Sequence, residues 1–369
     1  MVDPLETLPF LDVFADKTGG NPKVQTSEYL ASGRYPIIDQ GRRQVAGYSN
    51  EKSLLAVDHG PVIIFGDHTR ILKYVEGPFI LGADGTKVLV PKIDADVRFL
   101  FHYLRFIDIP SAGYSRHFKF LKEVRIPLPP LPEQRRIAAI LDKADHLRAQ
   151  RREAIAHLDA LTQSIFNDMF GSLPPEGVLS DAVSALIGGK NIVGADDSTN
   201  PFRVLKISAV TSGQYLESES KALPSDYIHA ADHVVRPGDV IISRANTTEL
   251  VGASALVDAT NGQTVLPDKL WRAVPTGEID PHYLVAALQS DRIRAEISCR
   301  STGSGGSMKN ISKPKLLSVP IAIPPLELQQ TFARRVAGVE RLKEQHRAQL
   351  AQLDTLFASF QHRAFSGRL

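Results

Sequence analysis

Between Glu133 and Phe170 the chain holds neither proline nor glycine, and apolar residues recur every three or four positions. Counted in sevens, the series runs Ile137, Ile140, Ala144, Leu147, Arg151, Ala154, Leu158, Leu161 and Ile165, with Arg151 the one misfit. A 3.5-residue period sustained over about four heptads predicts a coiled-coil seam. Pro132 suits a first helical turn, and Gly171 followed by Pro174 and Pro175 predicts the stop. A second series runs Phe332, Arg335, Val339, Leu342, His346, Gln349, Leu353, Leu356 and Phe360. Its polar centre suits contacts that set register. Each helix, about 38 residues long, would span roughly 57 Å at 1.5 Å per residue. The simpler alternative, an amphipathic helix folded onto its own domain, needs one about three times the usual length.

The two series are copies. Residues 121–137, LKEVRIPLPPLPEQRRI, resemble residues 316–332, LLSVPIAIPPLELQQTF. An offset of 195 carries Pro129-Pro130-Leu131 onto Pro324-Pro325-Leu326, Leu158-Asp159 onto Leu353-Asp354, and Phe170 onto Phe365. Upstream, Gly60–Ile64 resembles Gly238–Ile242, and His102-Tyr103-Leu104 returns as His282-Tyr283-Leu284. The chain reads as a tandem: a globular part over 1–130, a helix over 131–171, a second globular part over 172–325 and a second helix over 326–369. Runs such as Val62–Phe65, Lys87–Pro91 and Val240–Ser243, bounded by Gly, Asp and Pro, predict short strands. Short helices expected over Asp96–Phe106 and Pro281–Ser298 make each globular part mixed, and the class α+β.

Composition agrees with two units. The 369 residues exceed the ~250–300 at which a single core stops growing. Apolar residues at 43% and charged residues at 23% argue against disorder. No apolar run approaches the ~18 residues of a membrane span. The acidic start MVDPLETLPF has no secretory signature, and the lone Cys299 excludes a disulfide framework within the chain, so a cytoplasmic protein is expected. Net charge is +2, and the second globular part has fourteen basic against sixteen acidic residues. A nucleic-acid contact must therefore rest on local patches.

Catalytic motifs are absent from the sequence. Gly188-Gly189-Lys190-Asn191 lacks the spacing and the Ser/Thr of a phosphate-cradling loop and reads as a turn. There is no Gly-x-Ser-x-Gly elbow, and Cys299 has no evident activating base. The eleven histidines form neither His-Glu-x-x-His nor a zinc-type cluster. Asn200-Pro201-Phe202 lacks the second proline of an adenine-methyltransferase motif. No catalytic residue, metal site or cofactor is expected. Asp67 and Glu249 keep a nuclease open as an alternative, although neither has the neighbouring acid-and-lysine set. A coiled-coil scaffold for other proteins is the second alternative.

Polar material instead collects in matched places. Phe65-Gly66-Asp67-His68-Thr69-Arg70, with Lys73 just beyond, follows one expected strand; Ser243–Glu249 follows its copy. Another polar stretch precedes each Pro-Pro-Leu element: Ser111–Lys119, and Ser301–Asn310. Arg, Lys, Asn and Thr on such loops suit base edges and phosphates, and Tyr114 suits stacking. The candidate DNA-binding residues are His68, Thr69, Arg70, Lys73, Tyr114, Arg116, His117 and Lys119 in the first half. In the second they are Arg244, Asn246, Thr247, Ser307, Lys309 and Asn310.

At Ile126–Ile137 and Ser318–Gln330, the chain resembles the specificity (S) subunits of type I restriction–modification systems. Tyr35–Gly41, Phe65–Arg70, Leu205–Ser208 and Gly238–Ile241 resemble the target-recognition domains of that family. One departure is Leu328-Gln329, where the family has Glu-Gln. The resemblance implies two mixed α/β target-recognition domains joined by two long helices in an antiparallel coiled coil, with a pseudo-twofold internal repeat. It implies double-stranded DNA with a bipartite site as ligand, each domain reading one half. Two methyltransferase (M) subunits, which carry S-adenosylmethionine, and restriction (R) subunits using ATP and magnesium are the implied partners.

Overall fold

The computed structural model describes residues 6–82, 85–111, 113, 115–192, 194, 199–303 and 308–368. They form two compact units, Met1–Arg152 with Ala348–Leu369, and Glu153–Arg347. The long helices Leu131–Phe170 and Leu326–Phe365 each give one half to each unit. Among the described residues, no helix is long and apolar enough to cross a membrane.

In the first unit Phe14–Asp16, Thr86–Pro91, Val62–Gly66 and Leu72–Val75 lie side by side in that order, every pair antiparallel. The central run VIIFG is buried at all five positions, which is why it reads as a continuous apolar stretch instead of an alternating one. Gly47–Ser49, Tyr35–Ile38 and Ile80–Leu81 form a second sheet, with one antiparallel and one parallel pairing. The second unit has the same topology. Val183–Gly188, Leu270–Pro275, Val240–Ser243 and Ser254–Leu256 make its four-stranded sheet; Ser220–Ala222, Arg203–Leu205 and Thr264–Val265 make the other. Sequence repeat and strand order thus agree. The expected Asp96–Phe106 helix runs from Val97 to Phe106. Its counterpart is broken at extended Ser290 into Pro281–Gln289 and Asp291–Arg300.

Each Pro-Pro-Leu element is secured by a buried glutamine three residues past its leucine. Gln134, 3% exposed, donates Nε2–H to Pro129 C=O at 2.8 Å and accepts at Oε1 from Asp96 N–H at 2.9 Å. Asp96 in turn caps the helix Val97–Phe106 by accepting from Phe99 N–H at 2.9 Å. Gln329, fully buried, makes the same pair of bonds to Pro324 C=O at 2.7 Å and Asp280 N–H at 2.9 Å. Asp280 caps the helix Pro281–Gln289 through His282 N–H at 2.8 Å. The departure at Leu328 is without consequence for this arrangement, because Leu328 is exposed.

Within each unit the two helix halves run antiparallel. In the first, Ile137, Leu141 and Ala144 share a core with Phe357 and Ala364, and Arg148 reaches Asp354 at 2.6 Å. In the second, Phe166 and Phe170 pack on Phe332, and Lys343 meets Asp159 at 2.8 Å. Phe365 lies against Tyr103 and Phe170 against Tyr283, so each helix ends on the same aromatic contact.

The seam expected from heptads is partly corrected. Ile137, Phe332 and Val339 are buried, and Ile140, Leu158, Ile165, Leu353 and Phe360 are half-buried. Leu147, Leu161, Leu342 and Leu356 face outward, 37–48% exposed. A straight α-helix drifts about 20° per heptad from a 3.5 repeat, so neighbours such as Leu141, Phe166 and Phe357 turn inward instead. Beside Leu147, Arg148 takes the inward place, its guanidinium 4.3 Å from the Phe357 ring centre.

His102 is buried at 1% exposure, and its Nε2–H donates to Asp142 Oδ1 at 2.7 Å. Burial pushes its pKa below the ordinary imidazole value, against the opposing pull of Asp142. Protonation would add a buried N–H at Nδ1, which meets no acceptor among the described residues.

Two outcomes follow from these contacts. Gln134→Ala leaves the Asp96 N–H and the Pro129 C=O without partners and is expected to cost roughly 2–4 kcal/mol in urea unfolding. For His102, an unfolded chain binds a proton below about pH 6.5 that the folded chain refuses, so stability rises with pH through that window. The fall in Tm between pH 7 and pH 5 is therefore expected to be smaller in His102→Leu than in the parent protein.

Candidate nucleic-acid interface

The two polar stretches singled out in each half are joined in space. In the first unit Asp67, 3% exposed, ends the strand Val62–Gly66. Its C=O accepts from His117 N–H at 2.8 Å and from His117 Nδ1–H at 2.9 Å. Its Oδ1 accepts from Phe118 N–H at 2.8 Å, at the start of the short helix Phe118–Leu121. A third segment joins them: Thr69 Oγ1–H donates to Gln40 C=O at 2.6 Å, and His68 N–H to Gln40 Oε1 at 3.3 Å. Gly66 permits this approach, because a Cβ there would lie 2.2 Å from Thr69 Oγ1 and 2.9 Å from Gln40 Cβ.

Arg70 adopts a left-handed backbone, φ 61°, and its Nη1–H donates to Ile109 C=O at 2.8 Å. Holding a non-glycine residue there costs on the order of 1–2 kcal/mol, which the surrounding bonds must offset. Arg116 and Lys119 are exposed, and the Lys119 ammonium lies 4.9 Å from the Phe120 ring centre. Two expectations are corrected. Lys73 is 2% exposed and bonded to Asp39 at 3.3 Å, and burial lowers its pKa; this takes it off the surface. His117 is 1% exposed and occupied by Asp67, a positioning group instead of a ligand contact. Tyr114 and Ser307 lie outside the described residues.

The second unit makes the same join with strands. Ala245-Asn246 pairs antiparallel with Lys309-Asn310, and Arg244 C=O accepts from Ile311 N–H at 2.9 Å. Asn310 also exchanges both backbone bonds with Thr302, at 2.8 Å each. Arg244 Nε–H donates to Asp268 C=O at 2.7 Å, and its Nη2 meets Asp268 Oδ2 at 3.3 Å, leaving Nη1 directed by a fixed fork. Asn246 accepts from Thr247 N–H at 2.9 Å, and Lys309 Nζ donates to Gly303 C=O at 3.2 Å. All five described candidates of this half are therefore contiguous.

Sequence reasoning missed the exposed pair Arg42 and Arg43, two residues past Gln40, and the Asp268 that orients Arg244. The arginine pair adjoins the Tyr35–Gly41 motif and was visible beside it; the role of Asp268 had no local signal. Among the described residues, no group of three or more His, Cys, Asp or Glu side chains could hold a metal ion.

The two units share one sheet topology, and in each the two polar stretches meet, at Asp67 with His117 and Phe118 and at Ala245-Asn246 with Lys309-Asn310. Residues 7–157 match the family described as the type I restriction modification DNA specificity domain. The chain is 30% identical over 148 residues to the EcoEI specificity subunit of Escherichia coli, covering 40% of this chain and 25% of that one. It is 27% identical over 275 residues to the EcoKI specificity subunit of Escherichia coli K12, covering 67% of this chain and 58% of that one. It thus spans less than two thirds of the length of these relatives. The fold matches an S subunit of a type I system from M. genitalium, with TM-score 0.59, 12% identity, and 98% and 96% of the two chains covered. Residues 7–157 are thus similar to type I restriction modification DNA specificity domains, and the chain as a whole shares the fold of the M. genitalium S subunit.

Asp67→Ala removes the acceptor of the Phe118 amide. Hydrogen exchange at Phe118 is expected to accelerate roughly tenfold or more, in line with loss of about 1.5–3 kcal/mol for a bond to a charged group, while the amide of Ile64 keeps its protection.

Proposed function

We propose that this chain is the DNA-specificity subunit of a type I restriction–modification complex, without catalytic activity of its own. Each unit reads one half of a split, asymmetric site in double-stranded DNA in the cytoplasm. The observation that carries this reading is the duplicated loop junction: identical sheet topology supports Asp67–Lys119 in one half and Arg244–Asn310 in the other, with different side chains on display. One scaffold with two polar surfaces suits two different half-sites. Arg244, oriented by Asp268, has the fork needed for bidentate pairing with guanine.

The long helices set the spacing between half-sites and dock two methyltransferase subunits, which bring S-adenosylmethionine and the adenine chemistry. Restriction subunits add ATP- and magnesium-dependent cleavage. The outward leucines support docking: Leu147 and Leu342 occupy equivalent positions, as do Leu161 and Leu356, and each unit carries two. Exposed apolar residues repeated in register suit a partner that binds twice.

The test is a matched deletion of one heptad from the middle of both helices, which shortens the strut by about 10 Å, or some three base pairs at 3.4 Å each. In the assembled methyltransferase, mapping of methylated bases is expected to return the same half-sites with a shorter gap, or no modification. Methylation of the original site at full rate would refute the ruler.

A further inference from the structure

The turn Gly188-Gly189-Lys190 belongs to no role assigned above, yet it lies at the same end of the four-stranded sheet as Arg244, since Gly188 and Ile242 both pair with Trp271. It ends the strand Val183–Gly188, whose last residue pairs with Trp271. A Cβ on Gly188 would lie 2.8 Å from Trp271 Cδ1, and one on Gly189 would lie 1.7 Å from Leu266 C=O, so the close approach requires both glycines. Gly189 N–H donates to Pro267 C=O at 3.1 Å, and Asp268 N–H donates to Lys190 C=O at 3.0 Å. With these backbone groups engaged, the turn offers no amide nest for an anion. Its remaining chemistry is the exposed Lys190 ammonium.

Other cations gather at this end. Arg244 N–H donates to Lys269 C=O at 3.0 Å, and the Arg244 side chain is held by Asp268. Arg244 and Lys313 lie 5.9 and 5.8 Å from the Trp271 ring centre, and Lys309 follows on the paired strand. Five cations thus collect at one end of a sheet, in a segment whose overall charge is slightly acidic. In the first unit the equivalent Gly19-Gly20 follows Phe14–Asp16, but a Cβ on either would meet nothing within 4 Å, and Asn21 stands next. The tight glycine turn is particular to the second half, whereas an exposed lysine makes an isolated parallel bridge in both, Lys190 with Pro267 and Lys23 with Leu81.

We propose that Lys190, with Lys269 beside it, is a phosphate clamp of the second recognition unit, holding the DNA backbone that flanks the bases faced by Arg244. The assignment rests on the DNA-reading function above. A lysine ammonium is a compact point charge without a planar fork, suited to phosphate and not to base discrimination. The test is fluorescence anisotropy of the full chain, alone and with its methyltransferase partner, on short random-sequence duplexes between 50 and 200 mM salt. Lys190→Gln is expected to weaken binding several-fold on every sequence and to reduce the slope of log K against log salt by roughly 0.9, the loss of one phosphate contact. Lys190→Arg should restore both, and the Tm should stay at the parent value. If the parent binds with a steep salt slope and Lys190→Gln matches it, the clamp is wrong while the DNA-reading function stands. A loss confined to some sequences would make Lys190 a base contact and overturn the phosphate role. Failure of the parent to bind duplex under either condition would overturn both.

Discussion

The constraint on which the rest depends is a buried amide placed between a helix start and a proline pair. Gln134 and Gln329 each satisfy one backbone acceptor before the long helix and one backbone donor before the short one. Unsatisfied, those groups would be buried at a cost of roughly 1–3 kcal/mol each, so the two helix ends are obliged to meet there. With the short helix held, the sheet it packs on has one orientation to the long helix. The polar loops at the sheet edge inherit that orientation. A single side chain therefore links the frame to the surface it presents.

Much of this was legible in the chain. The 195-residue offset, the Pro-Pro-Leu copies and the VII runs all correspond to equivalent structure, because repeats and fully buried central strands leave strong local signals. The junction of the two polar stretches was not legible, since Asp67 and His117 meet across fifty residues and only a tertiary bond reveals it. The same reason hides Lys73, whose partner Asp39 lies on another strand's edge. The four outward leucines show the limit of counting in sevens. Apolar spacing alone could not distinguish Leu147 from its neighbour Arg148, whose long side chain turns inward to Asp354 and Phe357.

The two halves reach one architecture by different local chemistry. Asp67 uses its carboxylate and carbonyl to hold the second polar stretch, whereas Arg244–Asn246 uses strand pairing. Backbone pairing is indifferent to side-chain identity, and a carboxylate cap needs only one residue. Both leave the surrounding exposed positions free to differ. That separation of scaffold from display is what allows a duplicated fold to carry two unlike surfaces.

One consequence concerns the order in which the molecule can be completed. The second unit is a continuous stretch, Glu153–Arg347, while the first needs Ala348–Leu369 as well as the opening residues. Phe357 and Ala364 fill the first core beside Phe99 and Leu141. On a ribosome, the domain encoded later is thus the one whose parts are all present sooner. The opening domain waits, with an unfilled apolar face, for the last turns of the chain to emerge.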